Sequence, residues 1–344
     1  MSEWKEMEFG ELVEVINGYA FKSTDFTDLE SENVLPVIKI KNVANGNVHL
    51  NDVLYHKYTD KLSRFIVKNG DVLIALTGNH PQAESQVVGI SSRYKIDRNA
   101  LLNQRVARIV SKNEHRLCTD YIYYFLKNKS THFYLASQSS GSANQANISK
   151  SDIEQMPFLL PPPEEQKTIA SILSSLDDKI DLLHRQNKTL EAMAETLIRQ
   201  WFVEEAEEDW EESTFGDLVE PKKGKNITKG QVVEGDVPVV AGGLEPSTYH
   251  NEANTDYPVV TISASGANAG FVRLYHVPVW SSDSSYIDRT RTPYVYFCYA
   301  FLKANQKVLF DKQEGSAQPH IYPRHIMELD WHCCMNTCQR LSFL

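Results

Sequence analysis

The stretch PPPEEQKTIASILSSLDDKIDLLHRQNKTLEAMAETLIRQWF, Pro161 to Phe202, lies at the middle of the 344-residue chain and decides its architecture. Three prolines cannot lie inside a helix, but they can precede one. Glu164 and Glu165 suit a first helical turn, because carboxylates are stabilised near the positive end of the helix dipole. The sequence therefore predicts a long helix that begins near Pro163.

Apolar residues recur along this helix with alternating steps of four and three. The mean spacing of about 3.5 residues is typical of the seam of a left-handed coiled coil, so the helix is expected to need a long helical partner. About forty residues at 1.5 Å each would form a rod of roughly 60 Å. The amide of Asn187 either fixes one register with a partner or is a solvated position, and both interpretations remain open. The predicted seam consists of Ile169, Leu173, Leu176, Ile180, Leu183, Asn187, Leu190, Ala194, Leu197 and Trp201.

Length and composition indicate a two-domain protein of the cell interior. A chain of 344 residues with 42% hydrophobic residues can bury two cores. It has no apolar run long enough to span a membrane and no secretory signal, so we expect a cytoplasmic protein. His332, Cys333, Cys334 and Cys338 could supply four metal ligands. Adjacent cysteines rarely bind one tetrahedral ion, however, so we favour an irregular chain end and expect no metal.

The net charge of −10 is concentrated in the central segment. Residues 1 to 160 hold 18 basic and 18 acidic residues, residues 161 to 212 hold 5 and 14, and residues 213 to 344 hold 12 and 13. The two flanking regions are thus nearly neutral, and each could present a basic face to nucleic acid.

The regions on either side of the helix are predicted to be copies of one domain. FGELVE from Phe9 and FGDLVE from Phe215 agree at five of six positions. In the same order follow the strand-like runs GDVLIALTGN and YPVVTISASGANAG, the Tyr-rich helical segments YIYYFLKNK and YFCYAFLKAN, and two Gly-Ser-Ala loops. Short Val-, Ile- and Tyr-rich runs between turn residues predict an α+β fold that is mainly β.

Enzyme motifs are absent. The sequence has no phosphate-cradling glycine loop, no HExxH, no CxxC and no GxSxG, and its clustered carboxylates lie on the helix or the acidic linker. No catalytic residues are predicted.

The loops of the flanking domains are instead rich in side chains that bind DNA. Amides and arginines can read base edges, and lysines can bind phosphates. For any one residue of the two loops at 139–150 and 314–325, a solvated turn is about twice as probable as a base contact. The candidates in the first domain are Lys22, Lys39, Lys41, Asn42, Thr77, Asn79, Asn103, Gln104, Arg105, Ser142, Asn144 and Gln145. Those in the second are Lys222, Lys223, Lys225, Asn226, Ser265, Asn268, Arg273, Gln318 and His320.

Taken together, LPPPEEQKTIASILSSLDDKID, GDVLIALTGN, LNQRVARI and the Gly-Ser-Ala loops resemble the DNA-specificity subunit of type I restriction-modification systems. The resemblance runs to about Trp331. It implies two mainly-β target-recognition domains, residues 1–160 and 213–331, joined by a long coiled-coil helix, 161–203, and an acidic linker, 204–212.

The resemblance also implies a role and partners. Each domain would read one half of a split site in double-stranded DNA, without catalysis and without a cofactor of its own. Two modification subunits would methylate adenine with S-adenosylmethionine, and ATP-driven restriction subunits would cleave.

The chain departs from this pattern at its end. The family usually carries a second helical rod, whereas residues 332–344 look irregular and truncated. The seam would then be exposed, which predicts self-association through this helix or poor solubility of the chain alone. There are two alternatives. The chain could be a truncated or decayed specificity subunit that acts mainly as a docking protein for modification subunits, or an unrecognised DNA-modifying enzyme.

Overall fold

A computed structural model describes residues 4–28, 30–44, 46–78, 88–142, 145–201, 211–315 and 318–333. The chain divides into two compact units, Met1–Asp181 and Leu182–Leu344. Each unit is mainly β with a few helices, and one long helix continues from the first unit into the second. The predicted α+β fold class is confirmed.

In the described residues, the first unit consists of short strands and three α-helices that precede the long one. Its helices are α1 (Thr119–Lys127), α2 (Lys129–Ser137) and α3 (Lys150–Glu154), followed by the long α4 (Pro163–Arg199). Its strands are β1 (Lys5–Glu8), β2 (Val13–Asn17), β3 (Val34–Ile38), β4 (Val43–Ala44), β5 (Gly46–Val48), β6 (Leu54–Lys57), β7 (Ile66–Val67), β8 (Val72–Ala75), β9 (Thr77–Gly78), β10 (Ser91–Arg93), β11 (Ala100–Leu102), β12 (Val106–Ser111), β13 (Ser140–Ser142), β14 (Gln145–Asn147) and β15 (Pro157–Leu160).

Strand β8, from the predicted run GDVLIALTGN, lies inside a sheet of order β2-β12-β8-β10-β5-β4. Successive side chains of a strand point to opposite faces. Val72 and Ile74 accordingly pack in the cluster that contains Ile122 of α1, whereas Leu73 packs with Tyr94 in a second cluster. The strand therefore has a core on both faces, which explains why its sequence is uniformly apolar.

The second unit repeats this plan with fewer strands. Its helices are α5 (Phe215–Leu218), α6 (Val295–Ala304), α7 (Gln306–Asp311) and α8 (Pro323–Met327). Its strands are β16 (Glu211–Thr214), β17 (Lys222–Lys223), β18 (Val237–Val240), β19 (Thr248–His250), β20 (Val259–Ser263), β21 (Val272–Tyr275), β22 (Trp280–Ser281), β23 (Ser284–Asp288) and β24 (Asp330–Cys333).

Equivalent hydrogen bonds confirm the predicted duplication. The N–H of Phe9 donates to the carbonyl of Met156 at 2.9 Å, and the N–H of Phe215 donates to the carbonyl of Leu329 at 2.8 Å. Antiparallel pairs β1–β15 and β16–β24 lie beside these bonds. Both phenylalanine rings are fully buried, so the matching FGELVE and FGDLVE segments anchor the same part of each core.

Helix α4 begins at Pro163 as predicted and is continuous over 37 residues to Arg199. Its N-terminal part belongs to the first unit, where Ile169 packs against the core, and Ile198 near its other end is buried in the core of the second unit. The division between the units therefore lies within the helix, between Asp181 and Leu182. The sequence had instead assigned the helix to neither domain.

Two acidic residues of α4 form polar contacts with the rest of the first unit. Asp177 accepts hydrogen bonds from the Tyr124 hydroxyl at 3.1 Å and the Lys127 ammonium at 3.1 Å. Asp181 forms an ion pair with Lys95 at 2.9 Å. These carboxylates fasten the helix to the first unit.

Two predicted boundaries shift. Strand β16 begins at Glu211, inside the predicted linker, and β24 continues to Cys333, past the predicted start of the irregular tail. The remainder of both segments, 204–210 and 334–344, lies outside the described residues. In the described part of the chain, no helix is both long enough and apolar enough to cross a membrane.

Candidate nucleic-acid interface

The loop between β11 and β12 holds Asn103, Gln104 and Arg105 against the rest of the first unit. The Gln104 N–H donates to the Tyr19 carbonyl at 3.0 Å, and the Tyr19 N–H donates to the carbonyl of Leu102 at 2.8 Å. Gly18 permits this close approach, since a Cβ there would lie 2.2 Å from the Asn103 carbonyl oxygen. The predicted loop is thus a fixed platform.

Arg105 is exposed, and hydrogen bonds to two neutral side chains orient its guanidinium. Its Nη1 donates to the Thr77 hydroxyl at 3.3 Å and to Oδ1 of Asn147 at 3.1 Å. The Thr77 hydroxyl, which is buried, itself donates to the same Asn147 oxygen at 2.7 Å. The structure therefore brings together two of the candidates, Thr77 and Arg105, and places beside them Asn147, which the sequence analysis did not single out.

The basic candidates of the first unit differ in environment. Lys22 and Lys41 are exposed. The ammonium of Lys39 lies 4.1 Å from the centre of the Phe26 ring. Burial and, secondarily, the nearby charge of Lys41 lower the pKa of Lys39. The three amines remain candidates for phosphate contacts.

Asn42 does not fit the expectation of a DNA contact. Its side chain is fully buried, where its Oδ1 accepts from the Lys39 N–H at 3.0 Å and its Nδ2 donates to the Asn51 carbonyl at 3.2 Å. One end of the amide closes the turn at residues 40–42 and the other links that turn to residue 51, so the residue is structural.

The second unit carries a lysine-rich segment at residues 222–225. The candidates Lys222, Lys223, Lys225 and Asn226 are all exposed. The Lys225 N–H donates to the Ser281 carbonyl at 2.9 Å, and the Lys225 carbonyl accepts from Nε1 of Trp280 at 2.8 Å. The backbone is therefore fixed while the amines remain in solvent.

Polar candidates elsewhere in the second unit are partly committed to internal contacts. Ser265 is buried and donates to the carboxylate of Asp283, a residue that the sequence analysis did not single out. Arg273 forms an ion pair with Glu245 at 3.0 Å and lies over the ring of Tyr275. The remaining candidates are half-buried or exposed: Asn268, Gln318 and His320.

Four candidates fall where side chains or the whole residue are not described. Asn79 and Asn144 lie outside the described residues, and the side chains of Ser142 and Gln145 are not described either. The backbones of Ser142 and Gln145 pair with each other in the β13–β14 hairpin, so the first predicted Gly-Ser-Ala loop begins within a strand.

The predicted seam of α4 is largely uncovered between its ends. Ile169 and Trp201 pack against the cores of their respective units, and Leu173, Ala194 and Leu197 are half-buried. Leu176, Ile180, Leu183 and Leu190 are 55%, 51%, 44% and 61% exposed, and Asn187 is exposed between them. In the middle of the helix the stripe therefore has no covering surface among the described residues.

The described residues contain no cluster of three or more His, Cys, Asp or Glu side chains that could hold a metal ion. The cysteine-rich end, Cys334 and Cys338, lies outside the described residues. The polar groups that the structure does bring together are donors and acceptors on loops held by backbone hydrogen bonds, and each unit also carries exposed lysines. Such an arrangement can bind phosphates and base edges.

Comparisons with known proteins agree with this interpretation. The family model "Type I restriction modification DNA specificity domain" matches residues 1–192. The MjaVIII and MjaIX specificity subunits of Methanocaldococcus jannaschii, both named as type I restriction enzyme subunits, are 28% and 25% identical over 192 and 261 residues. These matches cover 55% and 64% of this chain and 43% and 59% of those proteins. The chain thus spans about half the length of the curated relatives it matches.

A solved structure shares the fold. The type I restriction-modification S subunit of M. genitalium superposes with a TM-score of 0.60 at 18% identity, covering 99% of this chain and 88% of that one. Because the family model matches more than half of its residues, the chain belongs to the type I restriction-modification DNA specificity family.

Proposed function

We propose that this chain recognises a bipartite sequence in double-stranded DNA and itself catalyses no reaction. The observation that carries the proposal is that one loop-bearing β unit is built twice in the chain, with the same hydrogen bonds at both anchoring phenylalanines. Two copies of one reader suit a target with two halves. Helix α4, about 55 Å long at 1.5 Å per residue, would fix the length of the gap between the two halves of the target.

The proposed partners supply the chemistry. Two modification subunits would carry S-adenosylmethionine and methylate adenine, and restriction subunits would hydrolyse ATP and cleave. This chain would hold neither cofactor and would direct both activities to the DNA sequence that it binds. Such a role fits the named function of its relatives as specificity subunits.

Selection from a randomised duplex pool tests the proposal. The chain, assembled with its modification subunits, should enrich two short motifs separated by a constant gap. Enrichment of a single uninterrupted motif, or of none, would contradict it. Binding of labelled S-adenosylmethionine by the purified chain alone would instead favour an enzyme.

Phosphate contacts can be tested separately at Lys223. Lys223→Ala should weaken binding to all sequences alike and lower the slope of log affinity against log salt by about 1, because one fewer counterion is released. Lys179→Ala, which removes an exposed lysine of α4, is the matched control and should leave both quantities unchanged. A change in sequence preference at Lys223→Ala would contradict the assignment to phosphate.

The uncovered stripe of α4 also supports self-association of the isolated chain. Leu176, Ile180, Leu183 and Leu190 expose apolar surface whose burial is favourable by roughly 25 cal/mol per Å². Sedimentation at micromolar concentration should reveal dimers or larger species, and Leu183→Glu with Leu190→Glu should yield monomers. A monomeric unmodified chain would contradict this part of the proposal.

A further inference from the structure

Arg105 and Asp283 occupy the same place in the two copies of the domain. In the first unit the N–H of Leu76 donates to the carbonyl of Arg105 at 2.9 Å, and in the second the N–H of Ala264 donates to the carbonyl of Asp283 at 3.1 Å. Each of the two residues directly precedes a central strand, β12 or β23. Their backbones are therefore equivalent.

A third segment completes the equivalence. The N–H of Ile148 donates to the carbonyl of Leu76 at 2.9 Å, and the N–H of Ile321 donates to the carbonyl of Ala264 at 2.9 Å. In both units, then, the same three segments are joined by hydrogen bonds. The segment after the central buried strand, β8 or β20, bonds on one side to the loop of Arg105 or Asp283. On the other side it bonds to the segment that follows the Gly-Ser-Ala sequence.

A hydroxyl from the middle segment holds the loop side chain in each copy. Thr77 accepts from the Arg105 guanidinium, and Ser265 donates to the Asp283 carboxylate. Both hydroxyl-bearing residues are buried, at 6% and 8% exposure, so each is a fixed support. Asn147 adds a second acceptor in the first unit.

Among the described residues, neither of these charged side chains has an oppositely charged partner. Whereas Arg273 and Glu245 form an ion pair, no ion pair is formed by Arg105 or Asp283 within the residues that the structure describes. Arg105 is exposed and Asp283 is half-buried. A charged side chain that is oriented by a neutral neighbour and left without a counterion is suited to a ligand.

We infer that position 105 in the first unit and position 283 in the second are the corresponding base-reading positions, with opposite hydrogen-bonding character. The guanidinium of Arg105 would donate to the O6 and N7 acceptors of guanine, and the carboxylate of Asp283 would accept from an exocyclic amino group, that of cytosine first. This inference rests on the proposed function. It assigns a sequence-reading role to Asp283.

Selection from a randomised duplex pool, with the chain assembled with its modification subunits, tests the pair. Asp283→Ala should lose discrimination, by about tenfold or more, at one base pair of one half-site, and Arg105→Ala should do so in the other half-site. Ser265→Ala, which removes the support alone, should weaken discrimination at the same base pair as Asp283→Ala. Asp283→Asn is close in shape to the original residue. If this variant melts at the same temperature as the unmodified chain, any loss of discrimination that it shows is a reading defect and not a folding defect.

The control is Glu252→Ala, which removes an exposed carboxylate from the second unit and should leave both half-sites unchanged. Two outcomes would overturn the inference. In the first, Asp283→Ala has the same effect as Glu252→Ala, and both strengthen binding to all sequences alike. In the second, Asp283→Ala and Arg105→Ala change discrimination in the same half-site. In either case the proposed function stands if the unmodified chain still enriches a bipartite motif. If the unmodified chain enriches no motif, both the inference and the proposed function are overturned.

Discussion

Gln166 is one of the residues that fasten helix α4 to the first unit, together with Asp177 and Asp181, and replacing it should weaken that attachment. The side chain is 1% exposed. Its Oε1 accepts from the Cys118 N–H at 3.1 Å, and its Nε2 donates to the carbonyls of Arg116 at 2.9 Å and Pro161 at 2.8 Å. Gln166→Leu keeps a side chain of similar size and removes all three bonds.

The magnitude follows from those contacts. A hydrogen bond contributes about 1 kcal/mol net, and a buried group left without a partner costs about 1–3 kcal/mol. Because the bond to Pro161 is fully buried while the other two are partly solvated, the free energy of unfolding of the first unit should fall by about 3 kcal/mol. For a unit of this size the melting temperature should fall by roughly 6–12 °C.

Urea denaturation of the full chain measures the change in unfolding free energy. Lys167→Ala is the neighbouring control: its ion pair with Glu164 joins side chains that are 65% and 86% exposed, so its loss should change stability by less than about 0.5 kcal/mol. A Gln166→Leu variant as stable as the control would refute the reasoning. Gln166→Glu should be more destabilised relative to the unmodified chain at pH 7 than at pH 4, because only a protonated carboxyl can donate to a carbonyl.

Three other predictions concern the cores and the loop platform. Gly18→Ala should displace the Asn103 carbonyl, which lies 2.2 Å from the added Cβ, and DNA selection should show altered preference in the half-site that responds to Arg105→Ala. Phe9→Ala should lower the unfolding free energy by about 3–5 kcal/mol in urea, since the ring is fully buried. Burial raises the pKa of the Cys298 thiol from 9.0 to about 12, so the folded chain keeps it protonated while the unfolded chain ionises it. The free energy of unfolding should therefore fall as pH rises above about 9, and Cys298→Ala should reduce the slope of that fall. Peptide mapping should find Cys298 unalkylated in the folded chain at pH 8.

Much of the architecture could be predicted from local patterns in the sequence. The heptad spacing and the entry prolines placed the start of α4 at Pro163, and the repeated FGELVE and FGDLVE segments established two copies of one domain. Apolar runs located the central strands β8 and β20. These predictions succeed because helix periodicity, proline geometry and strand burial depend on neighbouring residues in the chain.

The site depended on contacts between distant residues, which no local pattern specifies. Arg105 meets Asn147 across 42 positions, and Ser265 meets Asp283 across 18. Local composition made Asn42 a candidate for a DNA contact, whereas folding buried it.

The sequence by itself thus determined the order and type of the elements, the duplication and the loops that carry polar side chains. Only the tertiary structure decided which of those side chains are supported, which are buried, and that Arg105 and Asp283 stand at one equivalent position. The physical reason is that secondary structure follows from short-range backbone geometry, whereas the hydrogen-bond partners of a loop are chosen when strands far apart in the chain pair within a common sheet.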